Sequence, residues 1–147
     1  MTDSRIDDPV VSAARAIATI AHRGQTDKLG QNYIEHPRRV AGCVSEPTEQ
    51  AIAWLHDVLE DTDVTEHDLR EAGIPDDVIA GVRLMTRSDD ISDAQYYAAI
   101  AANPQVRAVK LADIADNTAD WRVAQLDAPT RERLAAKYAK ARAALGA

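Results

Sequence analysis

The sequence predicts an all-α fold, a compact single-domain helical bundle of about seven to eight helices. Three observations carry this. Apolar residues recur three and four positions apart along almost every long segment. Glycine and proline fall at the ends of those segments rather than inside them. No stretch of convincing length alternates apolar and polar residues as a half-buried strand would. With 147 residues, 46% of them hydrophobic, the chain suits one domain over 1–147 with room for a proper core. About residues 1–8 form a flexible N-terminal arm in this reading.

Val10 to Arg23 carries apolar residues at helical spacing and stops at Gly24, a favourable C-terminal position. Gln25 to Tyr33, with Gly30 inside it, reads as a loop. Ile34 to Val44 is a second helix, after which Ser45-Glu46-Pro47-Thr48 resembles a cap with proline in the first turn. A third helix spans about Glu49 to Glu60. Thr65 caps Glu66 to Ala72, closed by Gly73. Pro75 opens Asp76 to Thr86, where Val78, Ile79, Val82 and Met85 share a face. Arg87 to Ser92 is a polar turn, and Asp93 to Ala101 a helix carrying Tyr96 and Tyr97. Adjacent positions do not share a helix face, so at most one of those tyrosines is expected to point inward. Asn103-Pro104 starts Gln105 to Ala115, and Pro129 opens the last helix, Thr130 to Leu145.

Composition narrows the function. A formal net charge of −7 makes a poor nucleic-acid binder, which needs a basic stripe. A small anionic substrate stays open, because a metal ion or a few local cations can reverse the field within a pocket. Cys43 is the single cysteine, which rules out an internal disulfide or a thiolate cluster. Its neighbours Val40, Ala41 and Val44 predict a small buried hydrophobe. The first residues lack a basic stretch followed by an apolar one, so no signal peptide is expected. No apolar run reaches membrane-spanning length. The expectation is a cytoplasmic protein with no membrane and no nucleic-acid partner; its oligomeric state is not encoded legibly.

The run Trp54-Leu55-His56-Asp57-Val58-Leu59-Glu60-Asp61-Thr62 is the most informative in the chain. On a helix, at about 100° per residue, Ala51, Ile52, Trp54, Leu55, Val58 and Leu59 fall on one arc. His56, Asp57, Glu60 and Asp61 crowd the opposite one. Between Arg39 and Arg70 no lysine or arginine occurs, whereas eight carboxylates do. Such carboxylates repel unless protonated or given a cation, and a metal ion is a natural counter-charge; a solvated acidic face is the bland alternative. Two more candidate ligands sit elsewhere. His36 lies at the start of a helix, in Tyr33-Ile34-Glu35-His36-Pro37. Asp113 lies among the apolar residues Val109, Leu111 and Ala112, where a buried carboxylate needs a partner.

The order His36, His56-Asp57, Asp113 resembles the H…HD…D signature of the HD superfamily of metal-dependent phosphohydrolases. Ala21-His22-Arg23-Gly24-Gln25, Lys28, Gly30 and Tyr33 to Pro37 are similar to the opening of RelA/SpoT-type hydrolase domains and small alarmone hydrolases. Leu55 to Thr62 matches their middle, and Val109 to Asp113 with Asn117 their end. The resemblance implies His36, His56, Asp57 and Asp113 as ligands of one divalent ion, usually Mn²⁺. It implies Glu60 and Asp61 as the catalytic pair that positions or activates water, and Asn117 near the substrate's ribose. Lys28, Lys110, Arg23 and Arg87 are candidates to offset phosphoryl charge.

The implied activity is hydrolysis of a phosphate or pyrophosphate ester of a small phosphorylated metabolite, a nucleotide, similar to (p)ppGpp 3′-pyrophosphohydrolases. Phosphatase action on another nucleotide or NADPH, or a silent metal- and nucleotide-binding module, are the alternatives. The chain departs from these enzymes in three places. Asp27 stands where they carry an arginine against the guanine base, and Asp cannot stack on a purine or favour an anion. Ile114 and Asp116 replace a basic residue and an aromatic or His. The segment Leu84 to Arg87 and the connection over Asp89 to Ala102 look trimmed. His22 reads as a packed helix-end residue rather than a fifth ligand, and His67 as exposed. Trp54 faces the core. Trp121 covers the pocket edge or packs, and the last helix, with Arg131, Arg133, Lys137, Lys140 and Arg142, presents a solvated face.

Overall fold

The helical spacing becomes helices over most of the chain in the computed structural model, which describes residues 8–147. In order they are α1 (Pro9–Ala21), α2 (Glu35–Gly42), α3 (Pro47–Leu55), α4 (Val58–Asp61), α5 (Glu66–Glu71), α6 (Asp76–Met85), α7 (Asp93–Ala101), α8 (Pro104–Asn117), α9 (Asp120–Val123) and α10 (Ala128–Ala144). The eight expected helices thus become ten segments among the described residues: the His-Asp helix is split, and a single turn over Asp120–Val123 is added. The expected arm over 1–8 lies outside the described residues except for Asp8. Its carboxylate accepts the Val10 and Val11 N–H groups, at 3.0 Å each, and caps α1. Thr65, Ser92, Asn103 and Asp127 cap α5, α7, α8 and α10 in the same way, each satisfying N–H groups the first turn leaves free.

α3 is the axis of the domain. Ala51 to Leu55 are five consecutive buried residues, because α1, α2, α6 and α8 all pack on this helix. This stretch has no solvated face; of the expected acidic arc, Glu60 and Asp61 are exposed on α4, Asp57 is half-buried and His56 is buried. At Gly81 in α6, a Cβ would meet Ile52 Cδ1 at 2.5 Å, so a side chain there would require Ile52 to shift within the core.

The helix expected to run unbroken to Glu60 stops at Leu55. His56 Nδ1 bonds the Ala53 carbonyl at 2.6 Å, an acceptor that an unbroken helix would spend on the Asp57 N–H. Asp57 (φ −105°, ψ 0°) then starts α4, which brings adjacent side chains to one side of the chain.

Two further expectations are corrected. Cys43 is exposed, because α2 ends at Gly42 and the cysteine falls in the exit turn. Tyr96 and Tyr97 are both buried, at 2% and 8% exposure. α7 is covered by α6, α8 and α10 together, so two positions 100° apart are both enclosed. Tyr96 donates its hydroxyl to the Met85 carbonyl at 2.8 Å, and the two rings meet edge to face, centroids 5.1 Å apart. Trp54 is in the core and His67 is exposed, as expected. No helix among the described residues is long and apolar enough to cross a membrane.

Candidate metal centre

Three separate elements deliver the candidate ligands to one place. His36 comes from the first turn of α2, His56 and Asp57 from the α3–α4 break, and Asp113 from α8. His36, His56 and Asp113 are all less than a tenth exposed. His36 Nε2 lies 2.9 Å from Asp113 Oδ1, and His56 Nε2 lies 3.0 Å from Asp57 Oδ2 and 3.5 Å from Asp113 Oδ1. Ligand atoms of His36, His56 and Asp57 fall within 4.8 Å of one another, as do those of Asp57, Glu60 and Asp61.

The hydrogen bonds select the tautomers. His56 spends Nδ1 on Ala53, leaving its buried Nε2 without a hydrogen-bond partner among the described residues. His36 donates Nδ1–H to Asp116 Oδ2 at 2.6 Å, which turns Nε2 towards Asp113. A nitrogen lone pair facing a carboxylate oxygen at 2.9 Å needs a proton or a cation between them. Two imidazole nitrogens and the Asp57 carboxylate lie together, with Asp113 Oδ1 beside both rings, a donor set that fits a divalent ion.

Without an ion, protons take that role. Burial disfavours charge on both histidines, but hydrogen bonds to Asp113 and Asp116 raise His36, and the Asp57 and Asp113 carboxylates raise His56 well above the ordinary range. Burial likewise works against ionised carboxylates. Asp57 is nevertheless brought down to about 2, chiefly by His56, and Asp113 is held well below the normal range by His36, His56 and Lys110.

Outer contacts fix the ligands. Asp116, buried on the next turn of α8, accepts from His36 and also from Arg39 Nε and Nη2, at 2.7 and 3.2 Å. Burial opposes its charge, but these donors bring its carboxyl to about 2. The Arg39 guanidinium in turn lies 5.0 Å from the centre of the half-exposed Trp121 ring. The Tyr33 hydroxyl donates to Asp57 Oδ2. Asn117 Nδ2 donates to Asp113 Oδ1 at 3.2 Å, and Lys110 Nζ lies 3.1 Å from Asp113 Oδ2.

Carboxylate–histidine pairs of this kind hold the ring and raise its basicity. Replacing Asp116 with Ala is therefore expected to weaken metal binding about 10–100-fold, measured by calorimetric titration with Mn²⁺.

The candidate ligands line a pocket of about 240 Å³ together with Glu60, Asp61, Arg87, Lys110, Asn117, Arg122 and Lys137. Glu60 is aimed by the Arg87 N–H, which it accepts at 2.7 Å. Burial, with Asp57 and Glu60 nearby, pushes the Asp61 carboxyl up, so it binds a proton more readily than a free carboxylate. The structure thus gathers His36, His56, Asp57, Asp113, Glu60, Asp61, Arg87, Lys110 and Asn117. Lys28 lines an adjoining cavity instead. Arg23 is exposed beyond the end of α1 and does not reach this pocket.

Four residues that sequence reasoning gave no part here also belong to this surround: Tyr33, Asp116, Arg122 and Lys137. Lys137 was expected on a solvated face, but α10 packs against α7 and Lys137 lines the pocket. Burial with Lys110 and Arg87 nearby lowers its ammonium. Tyr33 had a readable signal, three residues before His36 in the same motif. The long-range Arg122 and Lys137 contacts had none. His22 is buried, with Nδ1 2.9 Å from Gln25 Oε1 and Nε2 without a hydrogen-bond partner among the described residues.

No protein-family model matches the chain. It is 33% identical over 133 residues to a guanosine-3′,5′-bis(diphosphate) 3′-pyrophosphohydrolase of Haemophilus influenzae, an alignment covering 82% of this chain and 20% of the relative. A protein of the same description from Vibrio cholerae is 44% identical over 72 residues, covering 44% of this chain and 10% of the relative. A GTP pyrophosphokinase of Streptomyces coelicolor is 32% identical over 116 residues, covering 70% and 14%. The chain therefore spans a tenth to a fifth of the length of these relatives. A solved structure from work on a metazoan ortholog of SpoT that hydrolyses ppGpp superposes with a TM-score of 0.75 at 24% identity, covering 94% of this chain and 86% of that one. The chain thus resembles the RelA/SpoT-type hydrolases in sequence and shares its all-helical fold with a structure from that group.

Proposed function

We propose that this chain is a divalent-metal-dependent phosphohydrolase of the HD type, cleaving a phosphate or pyrophosphate ester of a small nucleotide. Removal of the 3′-pyrophosphate of (p)ppGpp, the reaction named for its relatives, is the leading candidate. The observation that carries this reading is the buried, unpartnered His56 Nε2 turned towards Asp57 and Asp113, beside a second carboxylate pair and across from cations. His36, His56, Asp57 and Asp113 would hold the ion, for which we propose Mn²⁺. When bound, the ion supplies charge to polarise a phosphoryl oxygen and to acidify water.

The protein's own groups do the rest. Asp61, with its raised proton affinity, takes a proton from the attacking water. Glu60, fixed by the Arg87 N–H, orients that water. Lys110, Arg87 and Lys137 offset charge developing on the transferred group. Asn117 and Tyr33 hold Asp113 and Asp57 at the angles the ion requires. A reducing, cytoplasmic setting accords with a single free cysteine that is exposed.

Metal analysis of the purified protein, then turnover with Mn²⁺ on guanosine tetraphosphate, 3′- and 5′-nucleotides and NADPH, tests the proposal. Phosphate and pyrophosphate are read separately. Pyrophosphate from the tetraphosphate supports the alarmone reaction, and phosphate from another substrate supports the chemistry with a different specificity. Metal bound with no turnover across the panel contradicts the hydrolase.

The ion should compete with protons. His36 and His56 are raised in the ion-free protein, so their contribution to stability is complete below about pH 6.5, the unfolded value. It is lost as pH rises through the raised values. Asp57 and Asp116, at about 2, contribute above the unfolded carboxylate value of about 4 and lose that as pH falls towards 2. The ion-free protein should therefore melt highest between about pH 4 and 6.5. Mn²⁺ should raise Tm far more at pH 8 than at pH 6. Melting curves with and without Mn²⁺ across this range check both signs.

A further inference from the structure

The loop over residues 25–33 is organised by Asp27. Its Oδ1 accepts the Leu29 and Gln31 N–H groups at 2.9 Å each, and its own N–H reaches the Gln31 carbonyl at 2.8 Å. Its Oδ2 meets Arg122 Nη1 at 3.3 Å, across 95 positions of sequence. The Asp27 side chain is 4% exposed and that of Arg122 13%. Asp27 has thus committed its acceptors inward and offers little to a ligand.

Arg122 is in the opposite condition. A guanidinium has five donors, and this one uses a single N–H, at long distance, among the described residues. It projects from α9, whose entry is tied to α10 by Arg142 Nη2 donating to Thr118 Oγ1 at 2.7 Å. Arg122 borders both the metal pocket and the adjoining cavity of about 280 Å³, and the two share Tyr33, Asn117 and Tyr138 as walls. Lys28 adds a second positive charge to that cavity, and Leu29, Leu126 and Leu134 give it apolar sides.

We infer that Arg122, positioned by Asp27, binds a second phosphoryl group of the substrate, one remote from the bond that is cleaved. This rests on the hydrolase reading above and extends it. Asp27 supplies the fixed arm and Arg122 the fork of donors suited to a phosphate. The Arg122 charge is paired with Asp27, but its remaining N–H groups have no partner among the described residues and are free to donate to phosphoryl oxygens in a partly enclosed site. The chain therefore favours substrates phosphorylated at two separate positions over their singly phosphorylated counterparts.

Calorimetric binding of GDP and of guanosine, needing no turnover, tests this on the wild type, Arg122→Gln and Asp27→Asn. Arg122→Gln should weaken GDP tenfold or more and leave guanosine unchanged. Asp27→Asn keeps an acceptor for the Leu29 and Gln31 N–H groups but loses the charge that holds Arg122, and should weaken GDP several-fold. The ratio of kcat/KM for guanosine tetraphosphate over guanosine 3′-diphosphate should fall tenfold in Arg122→Gln. No GDP binding by the wild type, or equal losses for GDP and guanosine, overturns the inference. Turnover of the tetraphosphate with an unaltered ratio overturns it while leaving the hydrolase intact. GDP binding lost in Arg122→Gln, with no substrate turned over, supports Arg122 as a phosphate-binding residue but overturns its place in a hydrolase, together with the hydrolase reading itself.

Discussion

Asp57→Ala is expected to remove metal binding and lower kcat/KM by about a thousandfold or more, equivalent to about 4 kcal/mol of transition-state stabilisation. Asp57 is the residue on which the centre converges: it faces His56 Nε2 at 3.0 Å, accepts from Tyr33, and belongs to both candidate ligand groups. Truncation also leaves the buried His56 with one carboxylate instead of two, at 3.5 Å, so the fold is stressed as well. Asp57→Asn separates the two effects, since an amide oxygen still accepts from Tyr33 but ligates a cation weakly. Metal content, a melting curve and turnover are measured on both variants. Full activity in Asp57→Ala would overturn the metal-dependent reading.

Asp61→Asn should behave differently, with the ion retained and kcat reduced about 10²–10⁴-fold, the usual worth of a positioned proton acceptor. Asp61 is exposed to the pocket and makes no side-chain hydrogen bond among the described residues that would anchor a ligand. Its carboxyl is raised by burial and by the neighbouring Asp57 and Glu60 charges. An amide there holds the same volume but takes no proton. Metal titration paired with kcat distinguishes this residue from Asp57, and loss of the ion in Asp61→Asn would move it into the ligand set.

Much of this was readable in the chain because the signals were local. Eight helices followed from apolar spacing and from Gly24, Gly73, Pro75 and Pro129, and the ordered motifs named all four candidate ligands before any geometry was known. What escaped depends on contacts between distant segments. Ala51 to Leu55 read as amphipathic because periodicity reports one buried face, whereas four helices enclose this one. The break at His56 arises from a side chain capturing the Ala53 carbonyl, which helical spacing does not encode. The acidic stretch between Arg39 and Arg70 indeed lacks a local cation, yet Lys110 from α8 and Lys137 from α10 line the same pocket as its Asp57, Glu60 and Asp61. Asp116 was seen only as a departure from a pattern, although it holds His36. Asp27 was judged by what it cannot do for a ligand, and its partner Arg122 lies 95 residues away.

The loop around Asp27 begins and ends at a single backbone clasp, the Tyr33 N–H on the Gln25 carbonyl at 2.9 Å, with a bridge between Thr26 and Asn32 just inside it. The clasp makes residues 26–32 an exchangeable cassette. Sequence drift or deliberate grafting there rewrites one wall of the side cavity, while the candidate metal centre, built on α2, α3, α4 and α8, keeps its foundations. Specificity and chemistry in this chain therefore lie on parts that can change independently, and new substrates are open to it through seven residues that bear none of the core.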